Sequence, residues 1–360
     1  MKEIKYLVMS DIHLGHNNTK TDFIIHNLKS FFLTYSKELK DIKIIFLAGD
    51  IFDRLLTTHS VDYILAYEWL MELYIYCIQH KISLRILEGT PSHDWKQATM
   101  FNSIIKKINK QADFKYIDTL YIERNIELGI NILYIPDEYR PKSSTTYLEV
   151  LKLLKENNLE QVDIAIMHGQ FKYQLPILLE SSHDENDYLK IVKHFIHIGH
   201  IHTPSTFNRI IANGSFDRLK HGEEESKGAI LVTLNDKNNN FIFLENKKAK
   251  IYKTIDFTTE EELFKTIKGL PKDSYIRLQI NDKLDVTDNL LNKLKKMSLN
   301  VKLVINSKKE EEKKFLTDKT LDTFTITKDN ISELVIDYLK KLELNDAMIN
   351  DCIKLLVKYI

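Results

Sequence analysis

The sequence predicts an α/β protein: two stacked sheets flanked by helices, with a small α+β unit and C-terminal helices after them. Three observations carry this expectation. Over residues 1–248, short apolar runs alternate with segments of helical periodicity, the pattern of covered sheets. Five of the runs (YLVMS, IIFLAG, LRILEG, DIAIM and FIHIG) each lead into a cluster of Asp, His or Gly, and loops beyond strand ends are where α/β folds carry their chemistry. The chain, at 360 residues, is long enough for two or three units.

In order, strands are expected at 4–10, 43–48, 83–87, 131–135, 162–167, 195–199, 208–213 and 228–234, and helices near 21–40, 60–80, 98–110, 145–157 and 187–194. Residues 249–306 read helix (TTEEELFKTIKGL), strand (SYIRLQI), helix (TDNLLNKLKKM) and strand (NVKLVI). Glu260 and Glu261 sit at the positive end of the first helix dipole. This module carries no metal-ligand cluster and reads as a packing or cap domain. Residues 307–328 open with SKKEEEKK and read as a charged linker. Residues 329–360 resume helical periodicity, divided by Asn345-Asp346 into two amphipathic helices that either dock on their own core or bind a partner.

Composition narrows the class. Lys plus Arg and Asp plus Glu both number 51, so the formal net charge is zero; a wholly cationic nucleic-acid surface is excluded, but a local basic patch is not. No apolar run approaches the roughly 20 residues needed to span a bilayer. The N-terminus lacks an apolar secretory region, so a cytoplasmic location is expected. Cys77 and Cys352 belong to no paired-cysteine spacing, which leaves metal chemistry to His and Asp.

The strand-end clusters are Asp11-Ile12-His13, Gly49-Asp50-Ile51-Phe52-Asp53, GTPSHD over 89–94, His168-Gly169 and Gly199-His200-Ile201-His202. Residues i and i+2 of a strand share a side, so Asp11 with His13, and His200 with His202, can aim at one point. Hydrolysis of a phosphodiester needs a nucleophile from water, neutralised phosphoryl oxygens and help for the leaving alkoxide, which two divalent ions about 3.5–4 Å apart supply together. Asp50 suits the bridging position. Asp11, His13 and His202 would complete one ion, and His168 and His200 the other. Mixed imidazole and carboxylate ligands suit Mn²⁺, Fe or Zn²⁺ better than Ca²⁺ or Mg²⁺. His93, its charge tuned by a carboxylate such as Asp94, can contact the phosphoryl group or protonate the leaving oxygen. Asp53 is expected to hold a ligand in place. His16, His26, His59, His80, His183, His194, His197 and His221 read as core or surface residues.

These motifs resemble the calcineurin-like metallophosphoesterase superfamily, whose pattern is D-x-H, G-D-x-x-D, G-N-H-D/E, G-H and G-H-x-H. A later stretch, Asn213-Gly214-Ser215-Phe216-Asp217-Arg218 followed by HGEEESKGAILV, is similar to a segment of its SbcD-type nuclease subunits of double-strand-break repair. The resemblance implies a two-sheet nuclease domain, a cap domain that helps recognise DNA, and a linker and terminal helices that bind an SbcC-type coiled-coil ATPase. It also implies a homodimer through the nuclease domains and Mn²⁺-dependent exonuclease and endonuclease activity in DNA recombination and repair, Mg²⁺, Fe or Zn²⁺ being other candidates. The departure lies in GTPSHD: the family's Asn ligand is absent and Ser92 stands in its place. Ser92 or Thr90 ligates, His93 is recruited to the metal, or the second ion binds weakly. Basic residues near the metal loops that could meet a DNA backbone are Arg54, Lys96, Arg140, Lys142, Lys172, Arg218 and Lys220. The alternatives are a stand-alone metallophosphoesterase acting on nucleotides or phosphoproteins, and a non-catalytic scaffold.

Overall fold

The computed structural model describes residues 3–99, 105, 112–137, 141–177, 179–235, 238–257, 259–281, 288–297 and 300–306. The expected linker at 307–328, the expected helices at 329–360 and most of the helix expected at 98–110 lie outside those residues. The chain divides into two units, 1–278 with 286–302 and 279–285 with 303–360; of the second, only 279–281 and 303–306 are described.

Among the described residues, the first unit holds two six-stranded mixed sheets. One has the order β12-β11-β1-β2-β3-β4, with β1 (Ile4–Met9), β2 (Ile44–Ala48), β3 (Ser83–Leu87), β4 (Phe114–Ile117), β11 (Gly228–Leu234) and β12 (Asn240–Glu245). The other has the order β5-β6-β7-β8-β10-β9, with β5 (Tyr121–Asn125), β6 (Ile130–Ile135), β7 (Ile164–Gly169), β8 (Ile196–His200), β9 (Ser205–Phe207) and β10 (Ile210–Ala212). β1 through β4 pair in parallel, as do β6, β7, β8 and β10, while β11 joins β1 antiparallel with Leu7 opposite Leu231. Three further strands, β13 (Tyr252–Asp256), β14 (Tyr275–Asn281) and β15 (Asn300–Asn306), form a separate sheet in that order.

The central strands are apolar throughout because both of their faces are buried. Tyr6, Val8, Phe46, Ile132, Tyr134, Ile166 and Ile211 fill the layer between the two large sheets. The alternate residues Leu7, Met9, Ile45 and Leu47 pack outward with α1 (Thr21–Thr34) and α2 (Val61–His80), against Leu28, Phe31, Leu70 and Tyr74. On the other flank, Leu133, Ala165, Met167 and Ile198 pack with α4 (Ser143–Glu156) and α5 (Glu185–Ile191). Ser60 caps α2 by accepting from the amide of Tyr63, and Asp184 caps α5 by accepting from that of Asn186. Cys77 is a buried free thiol on α2.

All eight strands expected over residues 1–248 are present. The four strands of the two large sheets without a sequence signal, β4, β5, β9 and β12, are the outer edges of those sheets. An edge strand is partly solvated, so its apolar pattern is broken: β12 alternates exposed or half-buried residues, and β9 has no buried residue. Between the sheets, Arg85 of β3 donates to Glu123 of β5 through Nε and Nη2 at 2.8 and 2.7 Å. The Tyr134 hydroxyl donates to the same carboxylate at 2.9 Å. Among the described residues, no helix is long and apolar enough to cross a membrane.

Candidate metal centre

The loops after β1 and β2 lock together at the C-terminal strand edge. The Asp11 amide donates to the Gly49 carbonyl at 3.0 Å, and the amides of Ile12 and His13 both donate to the Asp50 carbonyl. Asp11, His13 and Asp50 all have left-handed backbones, with φ of 51°, 55° and 51°, and His200 has φ of 97°. Strand alternation is therefore not what aims Asp11 and His13; they lie beyond β1 in a tight turn, while buried Ile12 goes to the core. Backbone in this region is uncommon for non-glycine residues and clusters at functional sites. Gly49 and Gly89 permit the crowding. A Cβ on Gly49 would lie 2.2 Å from His168 Nδ1, and one on Gly89 2.1 Å from the Asp50 amide nitrogen.

Three groups of side chains present ligand atoms within 4.8 Å of one another: Asp11, His13 and His202; Asp50, His168 and His200; and His13, Asp50 and His93. Asp50 belongs to two of them. These groups draw on both sheets, and Asp11 is fastened to the second by accepting from the His200 amide with both carboxylate oxygens, at 2.9 and 3.1 Å. These buried Asp and His groups are able to hold a metal ion.

Hydrogen bonding shows how well the donor set suits a cation. His168 donates through Nδ1 to the Ala48 carbonyl at 2.7 Å, so in its neutral form Nε2 bears a lone pair. That Nε2 has no hydrogen bond although Asp50 Oδ1 is 3.2 Å away: two acceptors face each other in a buried site. His202 donates through Nδ1 to Glu223 at 2.8 Å, and its Nε2 faces His13 Nε2 at 3.0 Å. His13 Nδ1 lies 3.2 Å from Asp53 Oδ1 but outside hydrogen-bond geometry. Converging lone pairs of this kind, with the far ring nitrogens held by a carbonyl or carboxylate, fit metal ligation. Without a cation the same site attracts protons. Burial works against a charged His168, yet the adjoining Asp50 carboxylate raises its pKa well above the imidazole range. Burial raises and the surrounding imidazoles lower the pKa of Asp50, which ends well below the usual carboxylate value.

Residues of the third motif take distinct positions. The Thr90 hydroxyl lies 3.3 Å from Asp50 Oδ2, 3.2 Å from His200 Nδ1 and 3.1 Å from Asp137 Oδ2. Ser92, the expected replacement for the missing Asn, is exposed on the short turn α3 (Pro91–Asp94) and accepts from the Trp95 indole through its carbonyl. Thr90, rather than Ser92, therefore brings a neutral oxygen beside the second group. His93 donates through Nδ1 to Asp50 Oδ2 at 2.8 Å, an interaction that raises its pKa against the effect of burial. The carboxylate at the His93 ring is thus that of Asp50. Asp94 is turned inward and accepts from the amides of Asp50, Phe52 and Gly89 at 3.0, 3.0 and 2.7 Å, holding two metal loops together. Burial first, and then the charges of Asp50 and Glu88, push its pKa up to about 8.

Two carboxylates absent from the sequence reading join the site. Asp137 follows β6 and lies 3.6 Å from His200 Nδ1; its signal was a sixth apolar run, NILYI, ending in Pro136-Asp137. Glu223 holds His202 from the HGEEESKG stretch, where Lys227, fully buried, donates to the His202 carbonyl at 2.8 Å.

The candidate DNA contacts scatter. Arg218 donates to the carbonyls of Glu224, Glu225, Ala249 and Lys250 and so fastens the local chain. Arg54 is joined to Asn17 and Asp62, Lys96 pairs with Asp118, Lys142 with Glu180 and Lys172 with Asp184. Lys220 is exposed and lines a pocket with His221, Arg277 and Lys302. Arg140 lies outside the described residues. His197 is buried between the sheets against the Tyr6 hydroxyl, and His183 against that of Tyr188.

No family model matches the chain, and no curated protein matches it in sequence.

Proposed function

We propose that the chain is a metal-dependent DNA phosphodiesterase that resembles the SbcD-type members of the calcineurin-like metallophosphoesterases. The observation that supports this reading is the shared position of Asp50, a carboxylate belonging to two groups of His and Asp ligands. The chemistry that paired divalent ions supply in such a site is activation of water and neutralisation of the phosphoryl oxygens. Mn²⁺ is the preferred ion for this donor set. Asp11, His13 and His202 would hold one ion, His168, His200 and Thr90 the other, and Asp50 both. Glu223 orients His202, Asp53 sets a negative charge beside His13, and Asp94 braces the loops. With Nδ1 bound to Asp50, His93 has Nε2 left to position the phosphoryl group or to deliver a proton to the leaving oxygen.

The wider assignment follows the order of segments in the sequence. Residues 249–306 serve as a DNA-recognition cap, and 307–328 tether helices at 329–360 that bind an SbcC-type ATPase. The nuclease domain forms the homodimer, and the assembly acts as an exonuclease and endonuclease in recombination and repair. Linear duplex DNA incubated with Mn²⁺ or Mg²⁺, with and without a co-encoded ATPase, tests this reading: cleavage should require the metal and rise with ATP. Absent or metal-independent cleavage overturns it. Deletion of 307–360 should abolish the ATP stimulation; stimulation that survives the deletion removes the partner assignment.

A further inference from the structure

Beside the second ligand group lies a cavity of about 630 Å³ that the phosphoesterase motifs do not account for. Asp137 lines it and also stands 3.1 Å from the Thr90 hydroxyl, so the cavity adjoins the metal ligands directly. Its apolar walls are Pro91, Pro136 and Trp95. Trp95 is 54% exposed, an unusual state for so large an apolar ring, and is nonetheless fixed: its indole nitrogen donates to the Ser92 carbonyl at 2.8 Å, and its backbone is left-handed.

Charge decides what can enter. Among the described residues, Glu88, Asp118 and Asp137 line the cavity with one cation, Lys96, which is itself paired to Asp118 at 2.9 Å. Glu88 is held by the Tyr116 hydroxyl and the Lys96 amide. An excess of carboxylates repels phosphate, whose place is at the metal ligands; the cavity therefore suits the uncharged part of the same substrate. A fixed, exposed indole offers a flat face, the surface on which unstacked bases are held in single-strand recognition. We propose that this cavity is a nucleobase subsite and that Trp95 is its stacking face. The proposal rests on the phosphodiesterase reading and names the substrate group next to the scissile phosphate: a base taken out of its stack, not a peptide side chain.

The test uses the chain's two tryptophans. Trp69 is 3% exposed, so quenching of indole emission by a small aromatic ligand reports on Trp95. The probe is adenosine, with ribose as the base-free control, added to the metal-free full-length protein with excitation at the red edge of the indole band. Saturable quenching by adenosine and none by ribose, lost in Trp95→Phe, is the expected result. Equilibrium dialysis should then show adenosine binding to Trp95→Ala weakened about tenfold or more, the size of a lost base–aromatic stack. Thermal melting of both variants checks that they fold. No quenching by adenosine, an equal response to ribose, or unchanged adenosine binding to Trp95→Ala overturns the subsite. Adenosine has no phosphate and no metal is added, so the outcome is independent of DNA hydrolysis, and the two readings fail separately.

Discussion

His202 and His168 illustrate how one hydrogen bond decides what an imidazole can do. Glu223 and the Ala48 carbonyl each accept a hydrogen bond from Nδ1, which leaves Nε2 with a lone pair able to ligate a metal. Glu223→Ala should weaken Mn²⁺ binding by about 10- to 100-fold, read by calorimetric titration, while the protein remains folded. The Thr90 and Ser92 positions give a sharper contrast. Thr90→Val should lower the affinity for one of two Mn²⁺ equivalents, whereas Ser92→Ala should leave both unchanged; equal effects would contradict the placement of the Thr90 hydroxyl. At this scale the sequence was a good guide to which Asp and His side chains converge and a poor one to what supports them. Asp11, His13, Asp50, His168, His200 and His202 announce themselves by spacing. Asp137 does not, because a single Asp after an apolar run is commonplace, and the inward turn of Asp94 depends on amides 44 and 42 residues away in the chain.

At the scale of elements, the Arg85–Glu123 pair joins β3 in one sheet to β5 in the other. Burial raises the pKa of Glu123, but hydrogen bonds from Arg85, Lys115 and Tyr134 outweigh it and bring the value down to about 2. Between the ordinary 4.5 and that value, the unfolded chain binds the proton and the folded one does not. The contribution of Glu123 to stability is therefore complete above about pH 4.5 and is lost as the pH falls toward 2. Glu123→Gln should cost about 3 kcal/mol at neutral pH, because it leaves Arg85 short of its buried counter-charge. Urea melts at pH 6 and pH 3 should show the gap between variant and parent narrowing at the lower pH. Sequence periodicity found the inner strands and missed the four edges for the same reason. Continuous apolar runs mark strands buried on both faces, whereas a half-solvated edge such as YIERN or STF looks like loop. Glu123 lies on one of those edges, so the pair itself was out of sight.

Across the whole first unit, candidate ligands come from both large sheets: Asp11, His13 and Asp50 from one, and His168, His200 and His202 from the other. A cation bound there joins the sheets as well as serving the site. Mn²⁺ at about 100 times its dissociation constant should add about 2.7 kcal/mol of stability, and chelation should lower the melting temperature accordingly. A melting temperature indifferent to Mn²⁺ would show that the groups do not bind the ion. The layered α/β class was legible because its signals are local: runs, caps and breaks. The pairing of β1 with β11 was not, since nothing in YLVM specifies a partner more than 200 residues further on.

That pairing bears on how the protein comes to be made. β1 is the first strand synthesised, yet one of its neighbours, β11, is among the last of the sheet, and the support for His202 waits for Glu223. A nascent chain shorter than about 230 residues has an open flank on its oldest strand, one shorter than about 200 also lacks His200 and His202, and contacts so distant along the chain form slowly. The candidate metal centre is thus complete only once distant segments of the chain have met, and a short N-terminal fragment would carry the conspicuous Asp11-His13 motif without its partners His200 and His202.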